Sequence, residues 1–168
     1  MTWSLSNFTA HEDVNFQQLA AIWDGCRSKR VPSREELSFI KLLPVSHKIV
    51  MLDVSQVSPQ IIYSGSESLP FFYLDPLGVS LMQAFSFDTF QLLMTAMPTL
   101  KKKQGLMISL KRDGVEKYDV LVLPVANSKD RVVQAVAIGE LVDGDVRESA
   151  LNGIVSNNTS LEWAPVAL

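Results

Sequence analysis

Apolar positions along the chain recur in two rhythms, helical first and strand-like later. In "NFQQLAAIWDGCRSKR", Phe16, Leu19, Ala20 and Trp23 fall at i, i+3, i+4 and i+7, one stripe of a helix, with Gly25 weakening its end. "PSREEL" reads as the start of a second helix, Ser33 capping it and Glu36 returning the bond. Leu37, Ile40 and Leu43 would form its buried side, and Pro44 would end it. "HKIVMLDV" and "QIIYSG" then read as two short strands joined in a hairpin. From Ser66 to Gln83 the pattern is broken by Pro70, Pro76 and Gly78. "SFDTFQLLMTAMPTLKKK" predicts a longer helix, capped by Ser86 or Asp88 and kinked or cut short by Pro98.

The second half alternates with period two. "GLMISLKRDGVEKYDVLVLPVAN" places two strands around Asp113-Gly114, a strong hairpin signal. Leu106, Ile108 and Leu110 share one face of the first strand. On the second, Leu121, Leu123 and Val125 lie opposite Tyr118, Val120 and Val122. Pro124 removes a ladder donor and argues for an edge or a bulge. "RVVQAVAIGEL" returns as a third strand, and the tail from Asp143 is weakly patterned. The hairpins imply a mainly antiparallel sheet with helices packed on one face or end, an α+β fold.

Composition narrows the picture. The 168 residues are long enough to bury a core, and 47% of them are apolar. A formal charge of -3 argues against a broad nucleic-acid-binding face, and Lys101-Lys102-Lys103 suits a solvated helix end. The single cysteine, Cys26, forbids an internal disulfide and fits a reducing cytoplasm. The first residues carry neither a basic start nor a long apolar run, so no signal peptide and no membrane insertion are expected. The sequon Asn157-Asn158-Thr159 carries no meaning without secretion. Around Gly65, "YSGSESL" lacks the lysine of a phosphate loop and the flanking glycines of a nucleophile elbow. Gly65 reads as the bend where a strand releases the chain.

The order of elements, with these residues, resembles the PAS superfamily, and more narrowly a bacterial single-domain PAS-like family. The residues that carry it are Trp23 with Arg27, Pro32-Ser33-Arg34, Leu42-Leu43-Pro44, Leu52-Asp53-Val54, "IIYSGS", Asp75 and Gly78 of "LDPLG", and "YDVLVLPVA". They span about residues 16 to 142. The strand before Gly65 departs from the family by lacking an arginine. The resemblance implies a five-stranded antiparallel sheet in the order 2-1-5-4-3, helices on one face, and N-terminal helices flanking it. Residues 1–44 would form a helical extension, 45–142 the PAS-like core and 143–168 a tail. It implies a stand-alone cytoplasmic domain in bacterial signal transduction, homodimeric, that binds a small ligand, another signalling protein, or both.

Candidate chemistry is sparse. The long helix offers no histidine for haem, and no cysteine lies between Gly65 and Ser86 for a covalent flavin. No cofactor is therefore expected to be obligatory, with an unknown small apolar ligand left as one option beside a filled core. No catalytic or metal-binding set is found; "HEDVN" reads as a solvated segment. Tyr63, Phe72, Phe90, Met94, Met107 and Tyr118 are the expected pocket lining, with a filled core as the bland alternative. Phe16, Leu19, Trp23 and Arg27 are the expected dimer or partner interface, with packing on the chain's own sheet as the alternative. A ligand-free dimeric scaffold is the second functional reading, and a small enzyme the third.

Overall fold

β-branched and aliphatic runs bounded by turns pair into one sheet, and the amphipathic helices cover it. The computed structural model describes residues 3–6, 14–68, 78, 80–112, 116–143 and 160–168. Its elements are β1 (Trp3–Ser4), α1 (Val14–Cys26), α2 (Phe39–Leu42) with a 3-10 turn (Leu43–Val45), β2 (Ile49–Asp53) and β3 (Gln60–Ser64). They continue with α3 (Leu81–Ala84), α4 (Phe87–Lys101), β4 (Gly105–Arg112), β5 (Glu116–Ala126), β6 (Val132–Asp143) and β7 (Ser160–Ala167).

Among the described residues the sheet has seven strands in the order β1-β7-β4-β5-β6-β2-β3. Counted from β2, the five contiguous strands from the β3 edge to β4 stand as 2-1-5-4-3, the order expected for a PAS-like fold, and β7 and β1 extend the sheet beyond β4. The hairpins β2–β3 and β4–β5 and the return of β6 are antiparallel; β1 alone runs parallel, beside β7. Register puts Val50, Leu52, Leu106, Ile108, Val120, Val122, Ala135 and Ala137 on one face, here called inner, packed with Leu93, Ala96, Met97 and Leu100 of α4. The outer face carries Ile49, Met107, Leu121, Leu123, Val136 and Ile138 against Phe16, Leu19, Ala20 and Trp23 of α1. Helices thus lie on both faces, and α1 is part of the core instead of an outlying extension.

Several expectations change for local reasons. Ser33 and Glu36 do form the reciprocal pair, Ser33 N donating to Glu36 Oε2 at 2.8 Å and Glu36 N to Ser33 Oγ at 3.2 Å. No helix follows at once, because the strand end holds the same stretch. Ala126 N donates to Pro32 O at 2.9 Å and Arg34 N to Ala126 O at 3.0 Å. Helix α2 begins only at Phe39, which shifts the phase of its buried side: Leu42 and Val45 are buried, while Ile40 is 76% and Leu43 53% exposed. The tail is not an appendage. Strand β7 pairs with β4 from Gly105↔Val166 to Lys111↔Ser160, and Trp163 Nε1 donates to Thr95 Oγ1 at 3.0 Å. Helix α4 is capped by Ser86, and Pro98 stands inside it, one turn before its end.

Pro124 sits in an interior strand, yet no ladder donor is lost. Its carbonyl accepts from Trp23 Nε1 at 2.8 Å. In a strand the N and C=O of one residue point the same way, so the missing N–H faces the Trp23 side, where β4 has already ended. The expected bulge follows immediately, between Val125 and Ala126.

Candidate functional site

The inner face has a distinctive floor. Along β6 the inward positions are Ala135, Ala137 and Gly139, set opposite Pro124, Val122 and Val120 of β5. Ala135 and Ala137 stand opposite Leu52 and Val50 of β2. Strand β6 therefore recedes between the bulkier residues of β5 and β2. Helix α4 lies mainly across β7, β4 and β5. Phe85, Phe90 and Met94 are partly buried against this face. Small residues at alternate positions of "QAVAIGEL" are the signal in the sequence, and in sequence alone they look like those of any strand.

At the rim of the face lies a polar junction. Ser64, opposite Val50, shares a 2.6 Å hydrogen bond with the buried Ser68, whose hydroxyl donates to Gly65 O at 2.7 Å. Gly65 N donates to Ile49 O at 2.9 Å, and Glu67 N to His47 O at 2.7 Å. Gly65 is required by close approach: a Cβ there would stand 2.3 Å from Ser46 O, 2.4 Å from His47 C and 2.5 Å from His47 O. The glycine does mark the end of β3, which closes at Ser64.

The six expected pocket residues are not brought together. Phe90 and Met94 border the inner face. Tyr118 is buried and opposite Leu110, an inner-face residue. Tyr63 and Met107 belong to the outer face. The Tyr63 hydroxyl donates to Ser46 O at 2.9 Å, and its ring meets Phe39 edge-on at 5.0 Å. Tyr63 therefore fixes a loop and does not point at an inner ligand. Phe72 and Asp75 lie outside the described residues.

The expected interface stripe is also placed differently. Phe16, Leu19 and Trp23 are buried against the chain's own sheet, so they offer no surface for a dimer seam. The phase of an amphipathic helix says which side is buried but not by what. Arg27 alone is accessible. It pairs with Asp24 at 2.7 Å, lies over the Trp23 ring at 5.2 Å and donates to Arg30 O at 3.1 Å.

Two carboxyls are held below their ordinary range. For Glu36 the main cause is the hydrogen bond from the Ser28 hydroxyl, then the Ser33 amide. For Asp130 it is the hydrogen bond from Lys103, with the Lys103 and Lys29 charges adding to it. Among the described residues no three His, Cys, Asp or Glu side chains gather as a metal would need, and no helix is long and apolar enough to cross a membrane.

No family model and no curated protein matches the chain. Solved structures do. One is the light-state structure of the blue-light photoreceptor Aureochrome1 LOV, 18% identical over 63% of this chain and 95% of that one, TM-score 0.44. A second, from work on a flavin analogue and the light-oxygen-voltage domain mechanism, is 13% identical over 66% of this chain and 87% of that one, TM-score 0.45. A third, an RNA-binding light-oxygen-voltage receptor, is 15% identical over 87% of this chain and 54% of that one, TM-score 0.45. These matches correct the expectation that no cofactor is obligatory, since the proteins they bring forward are light-oxygen-voltage domains, one of them studied with a flavin analogue. The residues here do not fit a flavin bonded to sulfur. The one cysteine, Cys26, closes α1 and packs on the outer face, across the sheet from the small-residue floor.

Proposed function

We propose that this chain is a sensory domain of the PAS kind, whose inner face seats a small molecule and whose occupancy alters binding to a protein partner. The observation that carries the reading is the floor of Ala135, Ala137 and Gly139 on the interior strand β6, framed by Val50, Leu52, Val120, Phe90 and Met94. Small side chains on a strand flanked by branched ones leave room for a flat ligand, whose apolar area then replaces the missing packing. A flavin is the cofactor to test first, held without a bond to sulfur. When bound it supplies visible absorption and a redox-active ring. Val50, Leu52, Val120, Phe90 and Met94 would give it an apolar seat. A ligand acts on the partner only through its difference in affinity for two states of the domain.

Freshly purified chain, examined by absorption and native mass spectrometry, tests the reading. The expected result is a retained small molecule, or a higher melting temperature when flavin mononucleotide is added. At a ligand concentration of about one hundred times Kd the stabilisation is about 2.7 kcal/mol. A chain that retains nothing and melts unchanged with flavin mononucleotide overturns the reading. It would favour the ligand-free scaffold, which the complete burial of Ile61 and Ala135 on the same face supports.

A further inference from the structure

The two margins of the sheet are covered unequally. At β3, Gly78 N donates to Ile61 O at 2.8 Å and Ser80 bridges to Gln60, so the chain itself lines that edge. At the other margin, the lane beside β7 holds β1, a two-residue strand paired with Val166 and Ala167. Among the described residues no strand pairs with the outer edge of β7 from Ser160 to Pro165. At ~3.3 Å per residue that stretch is roughly 20 Å long.

Which backbone groups face this lane follows from parity, because successive residues of a strand turn their N–H and C=O to opposite neighbours. Ile49 O accepts from Gly65 N on the β3 side, so Val50 and Leu52 turn toward β6. Carried through the registers, Ala135 and Ala137 turn toward β2, Leu121 and Leu123 toward β6, and Val120 and Val122 toward β4. Pro124 belongs with the last pair, as its bond from Trp23 requires. Met107 and Ser109 of β4 then turn toward β7, and Glu162 and Ala164 turn back to meet them. Leu161, Trp163 and Pro165 are left turned to the open lane. Pro165 has no N–H to leave unpaired there. Leu161 and Trp163 each present an N–H and a C=O, at the spacing an added strand uses.

The side chains say what would fit. Leu161 is buried and Trp163 half-buried on the inner face, where Trp163 is held by Thr95. Between them Glu162 stands on the outer face, exposed, with no ion pair and no side-chain hydrogen bond among the described residues. The row it opens is acidic. Ser109, opposite Glu162, is committed to Asp119 at 2.7 Å, and Asp119 stands opposite Glu140. The cations of this face, Lys111 and Lys117, lie one row away, opposite each other, with Ser160 between Lys111 and the lane.

We propose that this edge takes an extended segment of a partner protein, with a Lys or Arg opposite Glu162 and an apolar residue on either side of it. The added strand closes the four open groups of Leu161 and Trp163. Its cation answers Glu162 and the carboxylates behind it, and its apolar residues lie beside Leu161 and Trp163. The lane already accepts a strand, since β1 occupies its far end. A second copy of the chain fits less well. The antiparallel register that pairs Leu161 with Trp163 of the other copy sets Glu162 against Glu162, and like charges directly opposite repel. Centring the copy on Trp163 pairs Leu161 with Pro165, which has no N–H, and runs the next residue into β1. The proposal is independent of whether the inner face holds a ligand.

The test is amide NMR of the isotope-labelled chain, with no residues added before Met1, titrated at millimolar concentration with the end-blocked peptide Thr-Val-Lys-Val-Thr. In the free chain the Leu161 and Trp163 amides should exchange quickly with solvent and those of Glu162 and Ala164 slowly. The peptide should shift the Leu161 and Trp163 resonances and slow their exchange. Thr-Val-Glu-Val-Thr should bind about threefold more weakly, Glu162→Gln should bring the two peptides close together, and Glu162→Lys should invert the preference. Slow exchange of Leu161 and Trp163 in the free monomer, no response to the peptide, or a preference that survives Glu162→Lys would each overturn the proposal. So would a dimer by light scattering in which those two amides are protected, because the edge would then belong to a second copy.

Discussion

Replacing Gly65 with alanine adds a single methyl group, and the structure assigns it a large cost. Its Cβ would lie 2.3 Å from Ser46 O, 2.4 Å from His47 C and 2.5 Å from His47 O, all main-chain atoms. Carbon–oxygen contacts normally close to about 3.3 Å, so the two segments must part by about 1 Å. No side chain can rotate away to relieve this. Overpacking typically costs ~1–3 kcal/mol, and a backbone obstacle argues for the upper end. The same movement strains Gly65 N to Ile49 O, Glu67 N to His47 O and the Tyr63 hydroxyl to Ser46 O, each bond contributing ~1 kcal/mol. The expected loss is ~3–5 kcal/mol, or roughly 10 °C in Tm for a chain of this size. Urea and thermal denaturation measure it, with the slope in urea unchanged. Gly25→Ala is the internal control: nothing stands within 4 Å of the added Cβ, and the site is helical. It should gain ~0.5–1 kcal/mol. A Gly65→Ala chain that melts within about 2 °C of the parent would refute the close-approach argument.

Other substitutions separate the remaining contacts. Trp23→Ala should cost ~3–5 kcal/mol in urea denaturation, and Trp23→Phe ~1–3 kcal/mol because the Pro124 carbonyl loses its donor. Neither should change the mass of the native species by light scattering, since Trp23 is wholly buried within one chain. Leu161→Ala should cost ~2–4 kcal/mol, because β7 is a paired strand of the sheet and its Leu161 belongs to the inner core. Glu36 is held below its ordinary value of 4.5, so its contribution is full above that pH and fades as pH falls through the lower folded value. Melting from about pH 6 down to about pH 3 should therefore show a shallower acid decline in Glu36→Gln than in the parent.

Much of the fold was legible because its strands announce themselves locally. Asp113-Gly114 with flanking alternation predicts β4–β5, and the facing of Leu106, Ile108 and Leu110 follows from period two alone. What failed was everything that depends on distant partners. Ser33 and Glu36 form a true capping pair, but Ala126 claims the neighbouring backbone, so the turn never becomes a helix at that point. Strand β7 has mixed polarity because its outer-face positions are half covered, and it acquires its conformation from β4. Trp23 illustrates the same limit: its stripe gave the buried side, and only the Pro124 carbonyl reveals that the chain's own sheet is what buries it. The floor of Ala135, Ala137 and Gly139 became meaningful only once register placed all three on one face.

The account's central claim is room for a small molecule on that floor, and filling it is the most direct test. Ala137→Leu is compared with the parent chain for retained small molecule by native mass spectrometry and for melting with and without flavin mononucleotide. The account predicts that the ligand-free proteins melt within about 3 °C of each other while the substituted chain loses retention and any shift with flavin mononucleotide. A parent chain with no ligand response, together with a loss of ~1–3 kcal/mol in Ala137→Leu from overpacking, would mean that the face is solidly packed and would contradict the claim.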